Sequence, residues 1–364
     1  MPEIWLKYGS TEVVLDIKAE NLLDYVTEEI EHLGEEQISA TLDTINVKND
    51  TQIVVLDTSQ YVAGLASMLV DGLMKKGRTV SMCVPSDVFN AYRNTYQDRG
   101  IRVSDLPNDP SKLSNDLVFL SQTSFDPLFG YSGTPTHLLK HFGREEMFEA
   151  YKARNGDMPS PGTANNALSI AYKFADRFDG TSIEAVIGTR GFADIVVDKP
   201  VKAHQRAISK LESFGKVEVE KGQASIISSG NGRSTLSNAL NSLWNCLDAV
   251  KEDGSITLLA ECRGGFGSSA LERLVEGKIE TEDAHNLAEY IDGLENLLYL
   301  DGVGEKYELA LISTLPDYYA KNRLGFKTFR RIKDALHHTL NVHGQRQKVL
   351  VVSDASKVLL KPKS

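Results

Sequence analysis

The stretch that most restricts the fold covers residues 224–267, ASIISSGNGRSTLSNALNSLWNCLDAVKEDGSITLLAECRGGFG. It opens with a short β-branched run, 225–228, that ends in Ser229, Gly230, Asn231 and Gly232. Glycines there permit positive φ and let a ligand come close to the backbone. Ser234 or Thr235 can then cap a helix, and Leu236, Leu240, Leu243, Leu247 and Val250 recur at helical spacing to give it a core face. Asp253 and Gly254 end that helix. Residues 255–260 form a second apolar strand, stopped by Glu261, Cys262 and Arg263 and followed by Gly264, Gly265 and Gly267. A strand, helix and strand with glycine turns at both carboxyl ends belong to a parallel sheet, and ligands of such sheets bind beyond those ends. The stretch therefore predicts a cofactor or ligand cradle built from Gly230, Asn231, Gly232, Glu261, Arg263, Gly265 and Gly267.

The rest of the chain repeats the alternation. Residues 4–7 and 12–17 read as a hairpin, 21–33 and 37–44 as acidic amphipathic helix, 52–56 as a buried strand and 63–76 as a helix. Strands at 79–84, 101–104 and 116–120 follow, with a helix at 88–99. Between 121 and 162 prolines and glycines break the pattern, leaving helices at 137–141 and 145–154; long loops of this kind are usually functional. A helix at 165–178, a strand at 182–187 and a helix at 202–214 complete the first half. After the opening unit come helix 281–298, strand 308–312, helix 328–340 and strand 349–352. The fold class expected is α/β, with mainly parallel sheets flanked by helices. At 364 residues two domains are expected, 1–217 and 218–364.

Composition narrows the partners. A net charge of -10 with no basic cluster argues against nucleic acid, and no apolar run approaches the roughly 20 residues of a membrane span. Three cysteines, Cys83, Cys246 and Cys262, suit a reducing compartment, so a cytoplasmic protein with a small-molecule ligand is expected, and a homo-oligomer is compatible with the chain. Cys246 reads as core filler, and Cys262, in the glycine turn, as the thiol to test for reactivity.

Candidate chemistry concentrates at strand ends. Asp57, Thr58 and Ser59 follow a buried strand and can orient a ligand hydroxyl or cap the next helix. His137 and His141 lie four apart with Lys140 between them, a spacing that can present two imidazoles to a metal, with Asp126 and Glu145 near in sequence. Arg190 and Arg263 sit in glycine-flanked turns and can clamp a carboxylate or phosphate. The G-x-G at 230–232 lacks the third glycine of a dinucleotide fingerprint, where Thr235 stands.

Taken with IWLKYGSTEVVLDI at the start, GYSG at 130–133, SSGNG at 228–232, LLAECRGGFGS at 258–268 and KVLVVSDASKVLL near the end, the chain resembles the nickel-pincer lactate racemase family. The resemblance implies a two-domain α/β isomerase that moves a hydride from the α-carbon of a 2-hydroxy acid to a nickel-bound pyridinium nucleotide, with histidine bases and an anchoring lysine. It implies site roles for Asp57, Asp126, His137 and Lys140 and cofactor contacts from Thr58, Ser59, Ser132 and Gly133. The matching positions differ from the family pattern. Asp-His-Thr-Arg-Pro is here Asp57, Thr58, Ser59, Gln60 and Tyr61; the lysine that follows the GYSG turn at 130–133 is replaced within Thr134, Pro135 and Thr136; and a histidine before that turn is Asp126. The cofactor is therefore unassigned. Three functions are expected from this: an isomerase or oxidoreductase of a hydroxy acid with a rebuilt site, a silent paralogue that binds a metabolite or nucleotide, or a nucleotide-dependent α/β enzyme using the 230–261 unit.

Overall fold

The computed structural model describes residues 3–27, 30–48, 50–114, 116–231 and 234–363. Two sheets organise them, each mainly parallel and flanked by helices, as the alternation predicts. The first has strand order Phe192–Asp198, Thr181–Ile187, Leu117–Asp126, Asp50–Val55, Thr79–Val84, Arg102–Asp105, and Gly130–Ser132 folds back on Leu117–Asp126. Only Phe192–Asp198 and Gly130–Ser132 run antiparallel to their neighbours. The second has order Lys327–Thr328, Glu308–Ile312, Val250–Leu259, Gly222–Ser228, Val349–Val352, Leu22–Val26 and is parallel throughout.

Several elements depart from the sequence reading. Residues Leu22–Val26 are a strand, not helix, because they pair with the apolar strand Val349–Val352 far along the chain. Tertiary pairing overrides a helical pattern in so short a segment. The helix after the first glycine turn stops at Trp244, and Val250 already begins the next strand. The strand expected over 116–120 runs on to Asp126, through a polar run that burial and ladder pairing hold extended. Strand Phe192–Asp198 goes unread because Gly191 and Asp194 obscure its pattern.

Sheet membership also departs from a single cut at 217. Besides Leu22–Val26, the opening hairpin packs on the second sheet, where Ile4, Leu6, Leu15 and Ile17 share a core with Ile226, Leu259 and Ile312. One larger core takes Phe119, Phe125 and Leu138 from the first half together with Ile227, Trp244 and Leu258 from the second. Burying such side chains contributes about 1.5–3 kcal/mol each, so the two halves stabilise one another. Among the described residues no helix is long and apolar enough to cross a membrane.

Topology fixes where a ligand can sit. In the first sheet the chain moves outward from Asp50–Val55 on one side, then restarts at Leu117–Asp126 on the other; the point of reversal lies between them. The second sheet reverses between Gly222–Ser228 and Val349–Val352. At such reversals the two connections leave in opposite directions and open a crevice at the carboxyl ends.

Candidate functional site

The two crevices face each other. A cleft of about 170 Å³ is lined by Asp57, Thr58, Ser59, Gln60 and Tyr61 after the first strand, by Gln122 and Ser124, by His137, and from the second sheet by Asn231, Asn238 and Lys357. Asn231 follows Gly222–Ser228 and Lys357 follows Val349–Val352, so both reversals contribute. Sequence reasoning names Asp57, Thr58, Ser59, His137 and Asn231 here. Gln60 and Tyr61 stand at positions of the motif that the sequence resemblance marks, whereas Gln122, Ser124, Asn238 and Lys357 are unforeseen. Reading the buried strand as ending at Leu120 hides Gln122 and Ser124, and nothing local marks Lys357 until the sheets are assembled.

Local chemistry shapes the first wall. Asp57 Oδ1 accepts the Ser59 amide at 2.7 Å, and Ser59 Oγ accepts from the Val62 amide at 3.3 Å to cap helix Gln60–Lys75. The cap reading and the cleft position therefore both hold for Ser59. His137 stands in the first turn of helix Thr134–Phe142, its backbone amide donating to Gly133 O at 3.0 Å. Its side chain is a quarter exposed, yet Nε2 itself is buried with no hydrogen-bond partner and lies 4.0 Å from Asp57 Oδ2. Burial lowers its pKa and outweighs the nearby Asp57 carboxylate, which leaves a neutral imidazole at pH 7. A neutral ring with an open nitrogen beside a carboxylate is equipped to take a proton.

Lys140 and Asp126 face another way. Asp126 is buried, accepts the Leu128 and Phe129 amides at 2.9 and 2.8 Å through Oδ1, and lies 3.6 Å from Lys140 Nζ through Oδ2. Burial pulls the Lys140 ammonium down, but Asp126, Glu295 and Asp292 together outweigh it and hold the pKa up at about 12. Lys140 is thus a charge pinned between the two halves. His141 binds the Pro107 carbonyl at 3.0 Å and packs on Phe142, so it does not join His137. Among the described residues no three His, Cys, Asp or Glu side chains are grouped to hold a metal ion.

The glycine cradle has a different explanation. The space a side chain would need at Gly230 is filled by Asp354, 2.0 Å from the position of a Cβ, and at Gly267 by Thr235. Gly133 is likewise closed by His204 and Glu184. Gly265 alone of these has open space beside it. Glu261 lies against Gly9 of the hairpin tip and 3.4 Å from the exposed Arg263, and neither lines the cleft. Gly232 lies outside the described residues. Gly133, Gly230 and Gly267 accommodate the chain's own close packing. Cys262 is buried, and burial raises its thiol to about 12, so it is an inert thiol rather than a reactive one.

With 13% identity, the chain is similar to the lactate racemase apoprotein of Thermoanaerobacterium thermosaccharolyticum, with a TM-score of 0.75 and 99% of this chain and 100% of that one covered. The fold is lactate-racemase-like. A protein of Thermotoga maritima is similar at 10% identity and a TM-score of 0.68, over 93% of this chain and 100% of that one. No family model and no curated protein matches the chain in sequence. Within this lactate-racemase-like fold, the turn where the sequence resemblance implies an anchoring lysine is Thr134, Pro135 and Thr136, all buried. Thr134 Oγ1 shares hydrogen bonds with Ser121 and Ser182 at 2.9 and 2.7 Å, and its amide donates to Glu184. None of the side chains of Thr134, Pro135 and Thr136 carries an amine that could anchor a pincer nucleotide at that turn.

Proposed function

We propose that the chain is an isomerase of the racemase or epimerase type acting on a small 2-hydroxy acid in this cleft, without an anchored cofactor. The observation that carries the reading is His137 Nε2, buried, without a partner and 4.0 Å from Asp57, in the wall of a polar cleft between two sheet reversals. The cleft is smaller than the roughly 300 Å³ at which drug-sized ligand pockets begin, which favours a small acid over a nucleotide. The substrate class follows the lactate racemase with which the chain shares its fold. In the proposed step the C2 proton passes to His137 Nε2, the electron pair delocalises into the carboxylate, and a proton returns to C2 from Lys357, which the other half of the chain supplies.

Incubating single enantiomers of lactate and related 2-hydroxy acids in D₂O tests this directly. Loss of optical activity should be accompanied by deuterium at C2, and His137→Ala should slow turnover roughly 100-fold or more while the acid still raises the melting temperature. Racemisation with protium retained at C2 would point to hydride transfer and overturn the proton route. A second reading, a binding protein without turnover, is favoured by the replacement of the lysine position with buried threonines. Thermal stabilisation by a hydroxy acid with no change at C2 would establish that reading instead.

A further inference from the structure

We infer that Glu184, beneath the cleft and out of contact with it, is a positioning residue that fixes the His137 helix turn and supplies a buried negative charge to that imidazole. The inference rests on His137 being the base proposed above. Glu184 is fully buried in strand Thr181–Ile187, beside Ser121 in the ladder. A carboxylate in an apolar strand is costly to bury unless hydrogen bonds replace its water. Here Oε2 accepts from Ser121 Oγ at 2.7 Å and Thr123 Oγ1 at 2.9 Å, and Oε1 accepts the Thr134 amide at 2.8 Å. Thr134 is the first residue of the helix that carries His137 three positions later. The carboxylate therefore caps the positive end of that helix from below. Gly133 leaves the necessary room, since a Cβ there would lie 3.0 Å from Glu184 Oε2 and 2.4 Å from the His204 ring.

The groups that act on His137 are Asp57, Lys140, Glu184 and Asp126, with His204 packed beside the same turn and Lys357 across the cleft. Burial lowers the imidazole most; Asp57, Glu184 and Asp126 oppose that, and Lys140 adds to it. Glutamine can replace the hydrogen bonds of Glu184, its carbonyl accepting from Thr134 and its amide donating to the hydroxyls, while removing the charge.

An NMR titration of the imidazoles in the substrate-free protein, with His137 assigned through His137→Gln, reads the charge directly. In Glu184→Gln the His137 midpoint should move to lower pH by roughly half a unit or more, and Glu184→Asp should restore most of it. A residue that only held the helix would leave the midpoint in place. Should Glu184→Gln not fold, Glu184→Met, which also removes the charge at similar side-chain length, should move the midpoint in the same direction. An unchanged His137 midpoint in the folded variant overturns the inference. A shifted midpoint in a protein that turns over no hydroxy acid sustains this inference and removes the isomerase reading; turnover with an unshifted midpoint does the reverse.

Discussion

Two histidines flank the turn at Gly133, and burial keeps each of them below its ordinary pKa. His204 is fully buried, its Nε2 pairs with the Ser132 carbonyl at 3.0 Å, and its Nδ1 has no partner. Because the folded pKa is depressed, the unfolded chain binds protons that the folded chain refuses. Stability is then full above the unfolded value of about 6.5 and falls as pH drops toward the lower folded value. The urea midpoint should decrease between pH 7.5 and 5.5, and His204→Gln, which can still donate to Ser132, should flatten part of that decrease. Little of this pair was legible beforehand. His137 stands out at the start of a helix after a glycine turn, whereas His204 sits mid-helix like any core residue, and only its distance from Ser132 gives it meaning. Glu184 did leave a trace, as the one carboxylate inside the apolar run 182–187.

The turns between elements decide what the glycines are for. Gly230 and Gly265 both have φ of +79°, but a Cβ at Gly230 would meet Asp354 at 2.0 Å while nothing approaches Gly265 within 4 Å. Alanine at Gly265 should cost only the backbone strain, about 1 kcal/mol. Alanine at Gly230 should cost several times that, because the Asp354 carboxylate is held by Ser356 Oγ at 2.6 Å and cannot withdraw cheaply. Equilibrium denaturation of the two variants checks the difference; equal losses would mean that Gly230 is not closed by Asp354. At this scale the sequence located the turns and the strand ends, although the helix stops at Trp244, short of the expected end, and the residue that fills the space at Gly230 comes from a loop more than a hundred residues away. Strand Leu22–Val26 makes the same point: its partner is at the other end of the chain, so no local window could distinguish it from helix.

Across the whole molecule the halves are joined by charge as well as by core. Lys140 reaches from the first half toward Asp292 and Glu295 of the second, whose carboxyls burial raises, and it pairs with the buried Asp126. Tyr151 Oη donates to the Ala284 carbonyl at 2.9 Å and Tyr299 Oη to the Pro127 carbonyl at 3.2 Å across the same boundary. Lys140→Met should destabilise by about 1–2 kcal/mol, less than the loss of a fully buried pair, because Lys140 is partly exposed and Asp126 keeps the Leu128 and Phe129 amides. The loss should be spread over one transition seen by all probes, because the core is shared; two separated transitions would contradict that coupling. By itself the sequence determined the α/β class, the parallel alternation, most strands and helices, and the strand end at Asp57, since periodicity and turn residues are local properties of the chain. Tertiary structure alone decided that Gly230 and Gly267 pack on the protein itself, that Lys140 pins the halves together, and that Asn231 and Lys357 meet His137 across one cleft. Those outcomes depend on which strand ends face each other, and that is set by pairing and shared burial between segments hundreds of residues apart.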